Sequence, residues 1–562
     1  MTAYLRAVLR DILDDLGDVP ADFSIELEAP ARPEHGDLST NTALRLASVL
    51  KDNPRAIAET IAERLRDAVD PARIAGVEVA GPGFINVRFA TDYLFDGLAD
   101  LLAAGDAFGR APSTGQTALV EYVSANPTGP LTVGHGRNAV LGDAVATLLD
   151  WTGYNVTREY YFNDAGRQMR VLAQSVKARY AHAAGAVGTQ TLDVDGDPVT
   201  VPETFPDDGY LGAYITNIAQ TLYDEHGDAL LAAETLAPFQ EAAEDVIFQD
   251  INATLERLHV SMDHHFNERR LYESGQIDAT VQALKDAGVT YEKDDALWFR
   301  TTDFGKDKDT VLIKQSGEPT YRTPDIAYHV TKFERGFDAI IDVFGADHIA
   351  TYPDVLSALD VLGYDSDRVE VILYQFVTLM RSGDPVKMST RKATYVTLDD
   401  LMDEVGEDVT RFFFLMRSPD THLNFDLDLA TETSDKNPVF YLQYAHARIC
   451  SILDKAAEMG VSVGDPAEAD LSLLTHDAEV TLIKTLLDFP ETLQKAAAER
   501  APHFVPTYLR DVATAFSQFY DQCRVLGEAD AVQAARLHLA RATKTVLRNG
   551  LTVLGITAPE QM

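Results

Sequence analysis

Ser124-Ala125-Asn126-Pro127-Thr128-Gly129-Pro130-Leu131-Thr132-Val133-Gly134-His135-Gly136-Arg137 joins a buried strand to a helix, and its reading decides the fold. Upstream, Leu119, Val120, Tyr122 and Val123 form a short apolar run broken by one carboxylate, Glu121, the pattern of a core strand with a functional outlier. Downstream, Ala139, Val140, Ala144, Val145, Leu148 and Leu149 recur at helical spacing up to Trp151 and Gly153, which places Gly134 and His135 at a helix start. Backbone N–H groups at such a start are unpaired and point outward. Pro127, Gly129 and Pro130 tighten the loop, and Gly134, lacking a Cβ, lets a ligand lie against the backbone. An α/β fold holds a phosphate at this kind of junction.

The spacing excludes two common owners of such a loop. A Walker loop ends in Gly-Lys-Ser/Thr, which is missing here, and a dinucleotide fingerprint needs its third glycine three residues after the second, whereas Gly142 follows Gly136 by six. The stretch instead resembles the nucleotide-binding signature of class I aminoacyl-tRNA synthetases, usually His-Ile-Gly-His, in the Ser-Ala-Asn-Pro-Thr-Gly-Pro form of the arginyl-tRNA synthetase family. The first histidine of that signature is Thr132 here, which keeps a hydroxyl but loses the imidazole.

A chain of 562 residues with 46% apolar content can bury several cores, so two to four domains are expected. Without an apolar run long enough to span a bilayer, and with an amphipathic, acidic Met1 to Leu16, the expected location is the cytoplasm. Cys450 and Cys523 lie far apart in helical patterns and read as core thiols rather than metal ligands or a disulfide framework.

The net charge of −40 opposes nucleic acid binding at low salt. The acid is spread through every segment, and 15 Lys stand against 33 Arg, a pattern resembling proteins of salt-accumulating organisms. At molar salt the Debye length falls to about 3 Å, so repulsion is screened and binding rests on close contacts and stacking.

Residues 1–110 alternate helical patterns, Ala3 to Leu16 and Pro54 to Val69, with short strands, Ser24 to Leu27 and Ile85 to Phe89. The phrases His35-Gly36-Asp37-Leu38-Ser39-Thr40-Asn41 and Val79-Ala80-Gly81-Pro82-Gly83-Phe84-Ile85-Asn86 resemble the N-terminal α+β module of arginyl-tRNA synthetases, which contacts the tRNA elbow. Turn chemistry in a purely structural domain accounts for the same glycines. After a linker at Ala111 to Gly115, residues 116–430 are expected to form the Rossmann-like, parallel-sheet catalytic domain. A second strand, Val156 to Phe162, leads to Asn163-Asp164-Ala165-Gly166-Arg167-Gln168 opening a helix, and a helical, acidic insertion is expected at about 170–300. Asp193-Val194-Asp195-Gly196-Asp197 lacks the later glycine and carboxylate of a calcium loop and reads as a solvated turn. His264-His265 reads as an element end, and the sheet is expected to resume near Leu297.

Tyr321-Arg322-Thr323-Pro324-Asp325 precedes a helical pattern, and the apolar run Ala339 to Gly345 ends in Ala346-Asp347-His348, at the strand end where α/β sheets bind ligands. By the resemblance, Tyr321 and Asp325 recognise the arginine side chain, with Glu121, Ser124, Asn126, His135 and His348 contributing. A guanidinium is planar and always charged, so its selection calls for fixed carboxylates. Lys387-Met388-Ser389-Thr390-Arg391-Lys392 resembles the second class I signature, Lys-Met-Ser-Lys-Ser. ATP-binding roles follow for Thr132, Gly134, His135, Lys387, Met388, Ser389 and Arg391, with Thr132, His135 and Lys387 as catalytic groups. The signature region proper runs Ala125, Asn126, Pro127, Thr128, Gly129, Pro130, Leu131, Thr132, Val133, Gly134, His135. Residues 431–562, opening with Asn437 to Arg448, resemble a helical anticodon-binding domain, in which Phe440, Tyr441 and Tyr444 fit either core packing or base stacking.

The resemblance implies an arginine–tRNA ligase with ATP as substrate, Mg²⁺ on its phosphates, no protein-held metal, and tRNA(Arg) and L-arginine as partners. It implies no membrane, and a monomer is expected. A catalytically silent tRNA-binding paralogue and a class I synthetase for another amino acid are the competing readings. The charge pattern predicts that activity requires high salt. Aminoacylation measured from 0.1 M to 3 M KCl should rise with ionic strength, and full folding and charging at the lowest salt would contradict the reading.

Overall fold

Parallel strands covered on both faces need near-continuous apolar runs, and Thr117–Glu121 and Ala339–Gly345 supply them at the middle of the sheet. The computed structural model describes residues 1–562 except Asp18, Ala31, Asp195, residues 387–395 and Ser462. Its central sheet consists of β1 (Thr117–Glu121), β2 (Asn155–Phe162), β3 (His264–Asn267), β4 (Ala339–Gly345) and β5 (Val369–Tyr374). All neighbours pair in parallel, in the order β5-β4-β1-β2-β3. The order reverses between β1 and β4, which opens a crevice at their carboxyl ends.

The signature joins β1 to helix α1 (Val133–Trp151), which lies over the sheet with nearly every residue from Gly136 to Leu149 buried. Gly142 lets this approach occur, because a Cβ there would overlap the buried ring of Tyr122. Arg137, also buried, donates to the carbonyls of Gln375, Ser418 and Thr421 at 2.6, 3.1 and 3.0 Å, tying α1 to the loop after β5. Burial lowers its guanidinium pKa to about 10, so it remains charged at neutral pH.

Two helices complete the frame of the crevice. α2 (Gly166–Ala183) follows β2, and α3 (Arg322–Glu334) precedes β4. The segment between α2 and α3 departs from an all-helical insertion. It carries a hairpin, Thr189–Val194 with Asp197–Pro202, and returns to the main sheet at β3. Gly196, at the hairpin tip, donates its N–H to the Asp193 carboxylate at 2.7 Å, as a turn requires. The main sheet therefore resumes at His264, not near Leu297. Ala296–Phe299 belongs instead to a separate antiparallel sheet with Thr290–Lys293 and Thr310–Ile313. A four-residue edge strand holding two histidines gives little apolar signal, whereas Leu297, Trp298 and Phe299 give a strong one.

The N-terminal module has its own core, built on Leu5, Leu9, Leu46, Ile61, Leu65, Ile85 and Val87. Ser24 to Leu27 is not a strand. Leu38–Thr40 takes the place beside Phe84–Phe89 instead, with Ile74–Ala80 on the other edge. Beyond residue 430, five long helices from Pro438–Glu458 to Asp530–Val553 share one continuous core with the catalytic sheet. Cys450 and Cys523 are buried free thiols, the second within this core. Phe440 and Tyr444 stack on each other with centroids 6.2 Å apart, and Tyr444 is 46% exposed.

Gly142→Ala should lower folding stability by about 1–3 kcal/mol through overpacking against Tyr122. An unchanged urea midpoint would show that α1 is not seated on the sheet as described.

Candidate active site

Three carboxylates stand side by side in the sheet. Asp342 of β4 is in register with Glu121 of β1, and Glu121 with Glu159 of β2, so all three point to one face at the strand ends. All three are buried. Burying such a row is costly unless each charge is paired, and α3 covers it with cations. Lys332, fully buried, donates to Glu121 Oε2 at 2.5 Å and Asp342 Oδ1 at 2.6 Å, with its ammonium 4.3 Å from the Tyr328 ring centroid. His329 Nε2 lies 2.8 Å from Asp342 Oδ2, while its Nδ1 faces the Asp325 carbonyl at 2.8 Å. Arg335 grips Glu159 with two nitrogens at 2.5 and 2.7 Å, and the Tyr328 hydroxyl donates to the same carboxylate at 2.5 Å. Against the cost of burial, Lys332 and His329 hold Asp342 well below the usual carboxylate range, and Arg335 and Tyr328 lower Glu159.

Beside this paired row lies a carboxylate with a different environment. Asp325, in the first turn of α3, is partly open to the cavity, and no side-chain donor among the described residues bonds its oxygens. Burial raises its pKa to about 7, with Glu121 and Glu268 pushing the same way and His329 and Lys332 opposing. It is a carboxylate in want of a cation.

Glu121 remains accessible to a ligand on its other lone pairs. Its Oε1 accepts from Ser124 Oγ at 2.9 Å, and Ser124 Oγ in turn accepts the Tyr161 N–H at 3.1 Å. The backbone bends sharply to allow this. Val123 and Ser124 take positive φ values of 63° and 38°, a strained conformation for a β-branched residue, and Asn138 holds it by accepting the Val123 N–H at 2.6 Å. The Asn138 amide also donates to the Val343 carbonyl at 2.8 Å, clamping the ends of β1 and β4 across the crevice.

The other end of the crevice is the start of α1. Thr132 is its N-cap, and the Thr132 N–H donates to His135 Nδ1 at 3.2 Å, with the Thr132 hydroxyl 3.3 Å from the same atom. Burial lowers the His135 pKa, so the ring is neutral, and an accepting Nδ1 assigns the proton to Nε2. His135 thus offers an N–H donor beside the helix N-terminus, a site for an anion. The space before Gly134 is open, since a Cβ there would meet only Thr132 Oγ1, at 3.7 Å.

A single cavity of about 470 Å³ joins the two ends. Glu121, Ser124, Asn126, His135, Tyr321, Asp325 and His348 all line it, so carboxylates face one end and a histidine beside a helix start faces the other.

The comparisons with known proteins agree with this geometry. Residues 3–89 match a family profile described as Arginyl tRNA synthetase N terminal domain, residues 97–414 match tRNA synthetases class I (R), catalytic domain, and residues 442–562 match DALR anticodon binding domain. The chain is 72% identical over 564 residues to the arginine–tRNA ligase of Salinibacter ruber, covering all of both chains. It is 50% identical over 537 residues to that of Desulfotalea psychrophila, covering 95% of this chain and 94% of the other. The chain belongs to the arginyl-tRNA synthetase family. The fold is also that of the Thermus thermophilus arginyl-tRNA synthetase, with a TM-score of 0.78 at 23% identity over the full length of both.

Within this synthetase fold, Asn126, Tyr321 and His348 stand at the exposed mouth of the cavity, with His348 stacked on Phe344 at 5.0 Å. Thr132 and Gly134 sit at the adjoining helix start. Lys387, Met388, Ser389 and Arg391 lie outside the described residues, but the chain on their far side returns to the first signature. There Leu398 donates its N–H to the Leu131 carbonyl at 2.8 Å, and Thr397 bridges Thr132. Sequence reasoning did not find Asn138, His329, Lys332 or Asp342. A signal existed in the single acids within two further apolar strands and in Lys332 and Arg335, three apart on one helix.

The raised pKa of Asp325 has a kinetic consequence. Below pH 7 a cation must displace a proton from Asp325, so kcat/KM for arginine should rise about tenfold per pH unit and level off above pH 7. Asp325→Asn should abolish that limb and cut kcat/KM for arginine by about 100-fold or more, with the KM for ATP little changed. A wild-type profile flat from pH 5.5 to 8 would remove Asp325 from the binding site.

Proposed function

We propose that this chain is an arginine–tRNA ligase, activating L-arginine with ATP to arginyl-adenylate and transferring the arginyl group to tRNA(Arg). The observation that carries the reading is the single cavity in which Glu121 and Asp325 face the same space as His135 and the start of α1. The guanidinium lies against Asp325 and Glu121, with Tyr321 and Asn126 at the mouth and Ser124 and His348 completing the wall. This places the substrate carboxylate toward the helix start.

ATP lies along the first signature. The arginine carboxylate attacks the α-phosphorus in line and pyrophosphate leaves; a terminal ribose hydroxyl of the tRNA then attacks the adenylate carbonyl, losing its proton as AMP leaves. Positioning and charge stabilisation suffice, with no covalent enzyme intermediate. His135 donates from Nε2 to a phosphate oxygen, and the N–H groups at Gly134 and His135 add the helix dipole. Thr132 acts by holding the His135 ring in the donating tautomer, which answers the missing first histidine of the signature. Lys387, with Met388, Ser389 and Arg391, is the second phosphate-binding element. Mg²⁺ would be carried on the ATP phosphates, where its preference for oxygen and water ligands is met, and Asp347, exposed at the cavity mouth, is a suitable outer carboxylate. The module at 1–110 serves the tRNA elbow and residues 431–562 the anticodon, in a monomeric, salt-adapted, cytoplasmic enzyme. Among the described residues no helix is long and apolar enough to cross a membrane.

ATP–pyrophosphate exchange with tRNA(Arg) present, at high KCl, tests the reading. Exchange should depend on L-arginine and respond to no other amino acid. Exchange driven by a different amino acid would identify another class I synthetase, and none at all would indicate a paralogue that binds tRNA without activating an amino acid.

A further inference from the structure

We infer that Lys332 is a positioning residue for arginine recognition: its sealed ammonium holds the Glu121 carboxylate in the orientation that faces the cavity. The inference rests on the arginine-activation reading and goes beyond it. Lys332 sits on the third turn of α3, one turn after Tyr328 and two after Asp325, so the helix that presents one carboxylate to the ligand also carries the counterion of the other. Its ammonium is entirely shielded from solvent and has three neighbours: Glu121 at 2.5 Å, Asp342 at 2.6 Å, and the face of Tyr328.

Geometry separates this from an ordinary buried ion pair. Lys332 occupies one oxygen of Glu121 from below, and Ser124 Oγ occupies the other from the side. The carboxylate is thereby fixed in rotation, while each oxygen keeps a lone pair for an incoming N–H. Around Glu121 stand the acids Asp325, Asp342, Glu159 and Glu268, the phenols Tyr161 and Tyr328, and the basic groups His329, Lys332 and Arg335. Arg335 is committed to Glu159, and His329 to Asp342 and the Asp325 carbonyl, so among these cations Lys332 is the one bonded to Glu121. Without that ammonium, only Ser124 among the described residues still holds the Glu121 carboxylate, which can then turn away from an incoming guanidinium.

The test uses the full-length protein at high KCl with tRNA(Arg), following arginine-dependent ATP–pyrophosphate exchange for the wild type and for Lys332→Met, Lys332→Gln and Lys332→Arg. The neutral variants should raise the KM for arginine at least about tenfold and leave the KM for ATP within about twofold. Lys332→Arg, which keeps a charged donor, should restore most of the affinity for arginine. A purely structural role would lower the thermal midpoint and depress both substrates together, and that result overturns the inference. So does an unchanged arginine KM in either neutral variant, or failure of both to fold while Lys332→Arg is active. Wild-type protein that shows no arginine-dependent exchange refutes the ligase reading itself, which separates the two failures.

Discussion

A row of like charges fixed by strand register is the constraint on which this molecule depends. Asp342, Glu121 and Glu159 are neighbours across three parallel strands, so their carboxylates are held roughly one strand spacing apart. Three anions so close in a buried sheet would repel one another and lose hydration, and pairing them is a condition of forming the sheet. α3 meets the condition with Tyr328, His329 and Lys332, and Arg335 follows at its end. The arrangement leaves one member of the neighbourhood, Asp325, with a raised pKa and no bonded side-chain partner among the described residues. The neighbourhood therefore holds one carboxylate whose charge is uncompensated by a bonded cation among the described residues. A guanidinium, which stays charged at every physiological pH, is the side chain suited to pair with it.

The phosphate end follows a different logic, built on backbone rather than on charge. The strained turn at Val123 and Ser124 directs the chain from β1 into the loop, and Asn138 pins it to β4. Thr132 then starts the helix and fixes the His135 tautomer through its own N–H. In a chain of net charge −40, a neutral donor and a helix terminus can meet a polyanion without a local excess of lysine and arginine. The replacement of the first signature histidine by Thr132 therefore leaves the second one oriented.

Much of this was legible in the sequence because the decisive features are local. The strand, the tight loop and the helix start at Gly134 and His135 follow from spacing, the helical C-terminal region follows from apolar periodicity, and the parallel sheet is what the family resemblance implies. Glu121 stood out as one acid in an apolar strand. Lys332 did not, because a lysine in an amphipathic helix looks solvated until the strand facing it is known. His329 and Asp342 were hidden for the same reason: their meaning lies in a register between segments far apart in the chain. The errors were also physical. Ser24 to Leu27 alternates like a strand but has no partner there, and β3 is too short and too polar to announce itself.

The central claim is that Glu121 and Asp325 bind one guanidinium together. A crystal structure with a non-hydrolysable arginyl-adenylate analogue tests it most directly. The account predicts guanidinium nitrogens within about 3 Å of both carboxylates, Lys332 still on Glu121, and the phosphate beside Gly134 and His135. A guanidinium that contacts neither carboxylate, or a phosphate bound away from the start of α1, would contradict it.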